Sequence, residues 1–421
     1  FSDVATYSAT VPVEWFGLIL DLTRTTPGYT PPVASRTFGY AGTALYEALL
    51  PGMPAKPELA GQLNGFQAPP KPESGDRYHW PTVANSALAT MARLFYPTTS
   101  QANKDAIDDL EAEILAGFAG AVDAAVLERS VSRGRAVANH VYAWSVSDGG
   151  HEGWTRNFPA DYTPPVGAGL WVPTPRSSGN PQSALQPYWG GCRPFTLPPG
   201  DPNLLCDPGA PTAYSTDPAS LFYEEAVEVY DAVENATAEE IVIARFWSDD
   251  PGATATPPGH SISILNQVLT TESSNLEEAA EAYALVGIAV ADAFIACWQS
   301  KYKYNLLRPV TYVREVLGPS TWLPQILSPP FPEYTSGHSV QSGAAFGVLE
   351  ALFGENYAFT DHTHDGRGFT PRNFDSFDEA AEEAAISRLY GGIHYRPAIH
   401  LGVDQGRCVA QRVLQLRGPT P

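Results

Sequence analysis

The sequence predicts an all-α protein, two packed helical bundles joined by a long irregular segment. Three observations carry that reading. Apolar residues recur every three to four positions through nearly every patterned stretch, while the strict alternation of a strand is scarce. Between Gly149 and Pro218 the helical period fails, because repeated Pro and Gly cannot sustain a helix.

Taken along the chain, "VPVEWFGLILDLTR" (11–24), "SRTFGYAGTALYEAL" (35–49) and "NSALATMARLFY" (85–96) read as amphipathic helices. Stretches 103–118 and 121–146 complete an N-terminal bundle over about 1–148. The connector, about 149–218, carries Trp171, Tyr188 and Trp189 and reads as packed coil. Helices resume at 220–236 and 237–248, and a long one runs from about Asn275 to Asn305 behind an acidic first turn. Further helices are expected from Ser336 to Phe353, over 377–390 and over roughly 397–416, giving a C-terminal catalytic bundle over about 219–421. All 421 residues are taken as one domain.

Composition excludes some partners. With 46 acidic and 25 basic residues the formal charge is −21, which argues against nucleic acid or an anionic membrane surface. No apolar run approaches the ~20 residues of a membrane span; the best, Ala282 to Ala291, is closed by Glu281 and Asp292. The chain opens at Phe1 rather than methionine, which reads as a processed or trimmed product. The four cysteines lack metal-binding spacing. Cys192 and Cys206 are expected to pair across the irregular loop, and Cys297 to lie buried in a helix. A disulfide favours an extracytoplasmic location, secreted or periplasmic.

Three segments carry chemistry. In "KYKYNLLRP", Lys301 and Arg308 stand seven residues apart, two helical turns, so they would share one helix face at ~10 Å. Pro309 ends that helix nearby. In "PEYTSGHSV", Gly337 permits close approach of a ligand and the helix after Ser336 offers free N–H groups to an anion. His338 adds a titratable ring. In "SRLYGGIHYRP", Arg388 ends one helix and His394 lies on a short link before Pro397, aimed at whatever cavity lies between. Singly, each also suits a helix end, an N-cap or a structural histidine.

In order and spacing, Lys301–Arg308-Pro309, Ser336-Gly337-His338 and Ser387-Arg388 with Gly392 and His394 resemble a known signature. It is the K-x6-R-P, P-S-G-H, S-R-x3-G-x-H-x3-D pattern of the vanadium-dependent haloperoxidases and type-2 phosphatidic acid phosphatases. "TAEEIVIARFWSDDPGATATPPGH" and "GLWVPTP" resemble segments of the bacterial haloperoxidase-like branch. The resemblance implies helical bundles of the haloperoxidase type with long irregular loops. It implies vanadate as cofactor, held by Lys301, Arg308, Ser336, Gly337 and Arg388, with His394 as the vanadium ligand. His338 becomes the proton-transfer residue, with Trp298 and Phe331 beside the halide. Hydrogen peroxide, a halide and a small organic acceptor are the implied partners; no membrane span is implied, and an oligomer stays open. A phenylalanine at 331 resembles the chloroperoxidases, where bromoperoxidases tend to carry histidine.

The alternatives are a soluble acid phosphatase with a phosphohistidine at His394 and a non-catalytic phosphate- or vanadate-binding protein. His338 argues against the latter, since binding alone needs no titratable group opposite His394.

Two positions depart from the signature. Thr335 replaces its proline, and Ala398 replaces its terminal aspartate. His394 Nδ1 is then expected to find another acceptor, a backbone carbonyl. Without that aspartate the phosphatase route loses its orienting partner. Asp404 could substitute only with a shifted helix. Elsewhere, Asp361, His362, His364 and Asp365 in "DHTHDGRG" suggest a metal loop, although alternate loop residues need not converge. His260 after "TPPG" could line the cavity. Asn235-Ala236-Thr237 fits either a glycosylation acceptor or a helix cap, and Asp292 should face away from Lys301.

Overall fold

Capping chemistry sets the helix boundaries in this computed structural model, which describes residues 3–72, 76–174 and 183–418. The N-terminal helices are α1 (Thr10–Thr25), α2 (Pro31–Leu49), α3 (Trp80–Phe95), α4 (Gln101–Phe118) and α5 (Ala124–Ser145). After the connector come α6 (Leu221–Glu234), α7 (Ala238–Phe246), α8 (Thr256–Thr271) and α9 (Leu276–Tyr304). The remainder are α10 (Pro309–Tyr312), α11 (Gly337–Phe353), α12 (Phe377–Tyr390) and α13 (Arg396–Leu414). Among the described residues only a two-stranded antiparallel ribbon, β1 (Phe359–Asp361) with β2 (Arg372–Phe374), adds strand. Thr237 and Glu240 close a capping box on α7, so the Asn235–Thr237 motif has at least its cap role. Asn275 and Glu278 do the same for α9, whose last turn holds Lys301 and Lys303 against the helix dipole.

Helix α8 was not expected. Its start, Pro257-Pro258, reads as a helix breaker, yet both prolines sit in the first turn, where their missing N–H groups cost nothing. The connector is packed as expected at Trp171 and Trp189, but Tyr188 is 56% exposed.

α9 is the axis of the molecule. It is long and apolar enough to cross a membrane by composition, but its apolar stretch is wholly buried inside the protein. One apolar cluster runs from Val4 to Leu416 around it, taking side chains from both halves of the chain. Backbone approach is made by small residues. A Cβ on Gly42 of α2 would lie 2.2 Å from the Tyr283 carbonyl of α9, and one on Gly406 of α13 would lie 2.1 Å from the Val340 carbonyl of α11. These contacts fix α2 on α9 and α11 on α13, and so place the ends of α9 and α11 beside the link that precedes α13.

The expected Cys192–Cys206 bond does not form. Cys206 pairs with Cys408 of α13, 202 residues on, while Cys192 and Cys297 are buried free thiols. Closeness in sequence misled here; the connector folds back so that Cys206 faces the last helix.

Candidate active site

Lys301 closes the last turn of α9, but Arg308 does not share its helix. α9 ends at Tyr304 with Asn305 in the left-handed region (φ 46°), and the chain runs extended to Arg308, the N-cap of α10. The two charges therefore converge by a change of backbone direction, not by helical spacing. Lys301 Nζ donates to the carbonyls of Pro332 (3.0 Å), Glu333 (3.0 Å) and Thr335, using all three ammonium donors. Arg308 donates through Nε to Phe331 O (2.9 Å) and through Nη1 to Ile393 O (2.8 Å). Neither group is exposed. Together they hold strap 331–335 against the link that carries His394.

His394 finds its acceptor on that strap. Nδ1 lies 2.8 Å from Glu333 Oε1, which also accepts the Tyr395 backbone N–H at 2.9 Å. The expected backbone carbonyl is thus replaced by a buried carboxylate, and the role of the absent motif aspartate is filled from another segment. Asp404 is exposed and faces Arg407. With Nδ1 donating to Glu333, Nε2 keeps its lone pair, and Arg308 Nη1 donates to it at 3.1 Å. Burial, then Arg308, Lys301 and Arg388, hold the ring well below the usual histidine pKa, so it is neutral. Burial pushes Glu333 up to about 7, against the downward pull of Arg308 and Lys301.

Gly337, His338, Arg388, His394, Trp298 and Phe331 all line one cavity of about 490 Å³. Lys301, Arg308 and Ser336 lie behind its wall. Ser336 caps α11, its Oγ accepting the Ser339 N–H at 3.3 Å. The Phe331 ring lies 5.0 Å from Lys301 Nζ, 5.0 Å from Arg308 Cζ and 4.8 Å from the Trp298 ring. Three buried polar atoms of the cavity lining have no partner among the described residues, Ser328 Oγ, His338 Nε2 and Arg388 Nε. Burial, then the Arg388 charge, depresses His338 well below its usual pKa, while Asp249 and a hydrogen bond to the Trp247 carbonyl pull it up. Arg388 Nη1 donates to the same carbonyl at 3.2 Å.

These residues fit an oxyanion. Lys301 and Arg308 act on one buried carboxylate, Glu333, with Arg388 in their field, and Arg388 Nε, an orphaned donor at a desolvated site, requires an acceptor.

The remaining candidates fall outside the cavity. Asp292 faces the connector, accepting from the backbone N–H groups of Phe195 (2.6 Å) and Thr196 (2.8 Å). "DHTHDGRG" splits: His362 and Asp365 pair at the surface, while Asp361 and His364 turn inward to meet His260 and Asp249. His260 does not line the cavity; it lies one layer behind. Sequence reasoning missed Glu333 and Asp249. Glu333 stands in the same nine-residue stretch as Ser336 and His338, and its one signal is an acid flanked by Pro332 and Tyr334 in an apolar context.

The family model of the VCPO second helical-bundle domain matches residues 281–417, which include all three basic and histidine-bearing segments. Across the whole chain, the protein is similar to the crystal structure of the first bacterial vanadium-dependent iodoperoxidase. The two are 35% identical with a TM-score of 0.88, over 97% of this chain and 96% of that one. The chain belongs to the vanadium-dependent haloperoxidase family. A holo-type bacterial vanadium-dependent chloroperoxidase shares the fold at 18% identity and a TM-score of 0.69, over 93% and 94% of the two chains. The vanadium chloroperoxidase of Curvularia inaequalis is 24% identical over 493 residues, covering 93% of this chain and 79% of its own. In this member of the family the signature segments are those that frame the cavity.

Proposed function

We propose that the protein is a vanadate-dependent haloperoxidase that oxidises a halide with hydrogen peroxide to a hypohalous acid equivalent, for transfer to a small organic acceptor. One observation carries the proposal: a neutral, carboxylate-oriented His394, whose Nε2 lone pair is met only by Arg308 Nη1 among the described residues, lines a cavity where Arg388 Nε and His338 Nε2 lack partners. His394 would ligate the vanadium, with Gly337 and Arg388 facing the vanadate oxygens and Lys301, Arg308 and Ser336 acting from behind the cavity wall as this structure has them. Bound vanadate supplies a Lewis acid that polarises peroxide without changing oxidation state. His338, neutral and unpartnered at Nε2, accepts the proton that peroxide gives up and returns it later. Arg388 supplies fixed positive charge where negative charge gathers. Trp298 and Phe331 exclude water from the halide side. The Cys206–Cys408 bond supports placing this activity in an oxidising compartment, periplasmic or extracellular.

The phosphatase alternative gains from the geometry, because Glu333 supplies the carboxylate that its absence at Ala398 seemed to deny. The haloperoxidase reading is favoured by similarity to an iodoperoxidase over nearly the whole chain. Metal-stripped protein reloaded with orthovanadate should oxidise iodide or bromide with hydrogen peroxide, be inhibited by phosphate and hydrolyse p-nitrophenyl phosphate weakly. Efficient ester hydrolysis without halide oxidation would assign the phosphatase branch.

A further inference from the structure

Four ionisable side chains form a second buried cluster behind the cavity, and the reaction described above uses none of them. His260 of α8 has a carboxylate on each ring nitrogen: Asp249 Oδ2 at 2.8 Å from Nδ1 and Asp361 Oδ2 at 2.6 Å from Nε2. The other oxygen of Asp249 lies 3.0 Å from His364 Nε2. All four side chains are at most 2% exposed. The His260 ring stacks on Trp247 at 4.5 Å and 21°. Asp249 itself sits in the left-handed region (φ 49°), a conformation that an L-residue keeps only when its surroundings enforce it.

The cluster bears on the active site through one residue. The Trp247 carbonyl receives Arg388 Nη1 and the His338 ring, while its indole N–H donates to Glu383 at 2.9 Å and its ring face rests on His260. Asp249, two residues on, reaches the cavity wall. We propose that His260 is a positioning residue of the anion site: by bracing Trp247 and Asp249 it fixes the directions in which Arg388 and His338 face the cavity.

A cation site is the competing reading, since Asp249, His260 and His364 place three donor atoms within 4.8 Å of one another. Proton counting decides against it. An imidazole with carboxylates on both nitrogens at 2.6 and 2.8 Å carries both N–H groups, so it has no lone pair for a metal. As an imidazolium it already offsets one carboxylate, and Arg388 lies in the field of Asp250 and Asp249.

The turnover arm of the test rests on the haloperoxidase reading, whereas the binding arm does not. Wild type, His260→Gln and Asp361→Asn would first be compared by circular dichroism and thermal unfolding. Calorimetric titration of metal-stripped protein with orthovanadate and with inorganic phosphate then reads the anion site without turnover. Iodide oxidation at saturating vanadate separates kcat from KM. For folded His260→Gln the expected result is anion affinity reduced about 10-fold or more, as for other groups that orient a ligand shell. Its kcat should fall with iodide KM unchanged, and Asp361→Asn should fall less in the same direction. Folded His260→Gln indistinguishable from wild type in affinity and kcat would overturn the proposal. So would a stoichiometric transition metal in purified wild type that is lost in the variant. If His260→Gln does not fold, Asp361→Asn decides alone: wild-type affinity and kcat in it reject the brace. A wild type that binds both anions but never oxidises iodide would fail the haloperoxidase reading and leave the calorimetric comparison intact.

Discussion

His394 and His260 are both buried imidazoles hydrogen-bonded to carboxylates, yet one is neutral and the other cationic. His394 has a single carboxylate, Glu333, and three cations around it. Burial and those cations disfavour protonation, which leaves Nε2 with a lone pair to offer. For His260, burial also works against the charge, but Asp249 and Asp361, one at each nitrogen, outweigh it and raise the ring to about 10. Burial alone does not decide a histidine's role; the balance of anions and cations at contact distance does. The first arrangement suits a ligand and the second suits a brace.

Removing the ring is the bluntest test of that contrast. His394→Ala should lose tight vanadate retention altogether, more than the roughly 10–100-fold of an outer-shell loss, in equilibrium dialysis against orthovanadate. His338→Ala should spare vanadate affinity and lower kcat for iodide oxidation about 100-fold, the cost of a missing acid–base group. Equal losses of affinity in both variants would erase the distinction between ligand and proton carrier. Ala398→Asp would restore the motif residue at a site 1% exposed within the apolar cluster of Ile399 and Val403. An unpaired carboxylate there should cost roughly 2–4 kcal/mol in urea unfolding. Glu333→Gln keeps the side chain's shape but removes its charge, and should weaken vanadate binding about 10-fold. If it strengthened binding instead, the carboxylate would be repelling the anion more than orienting the ring.

The smallest effect is on pH-dependent stability. His260 moves from 6.5 in the unfolded chain to about 10 in the fold. Its contribution is therefore complete below pH ~6.5 and is lost as pH rises through ~10. Urea midpoints should fall across that window in wild type and fall less in folded His260→Gln.

Much of this was legible from residues whose spacing is chemical. Lys301, Arg308, Ser336, Gly337, His338, Arg388 and His394 carry the family signature in order, and the structure gathers them about one cavity. What spacing could not convey is backbone direction. Arg308 reads as two turns beyond Lys301, but the left-handed Asn305 breaks the helix and turns the chain. Pro257-Pro258 reads as coil because prolines are counted as breakers, although in a first turn they are harmless. Glu333 was invisible as a partner because its ring lies 61 residues away and no local pattern joins them. The same holds for Cys206 and Cys408, 202 residues apart. His260 and "DHTHDGRG" each looked weak alone, and only the fold brings them to one point.

The placement of sulfur has a consequence for the lifetime of the protein under the proposed activity. Hypohalous acids attack thiols and thioethers readily, and an enzyme releasing them is their nearest target. Met53 and Met91, the two methionines of the chain, are 0% and 1% exposed. Cys192 and Cys297 are buried, and Cys206 and Cys408 are already oxidised to a disulfide. Under the proposed activity, an oxidant leaving the cavity would meet no accessible reduced sulfur on this protein, and self-inactivation would have to proceed through slower targets.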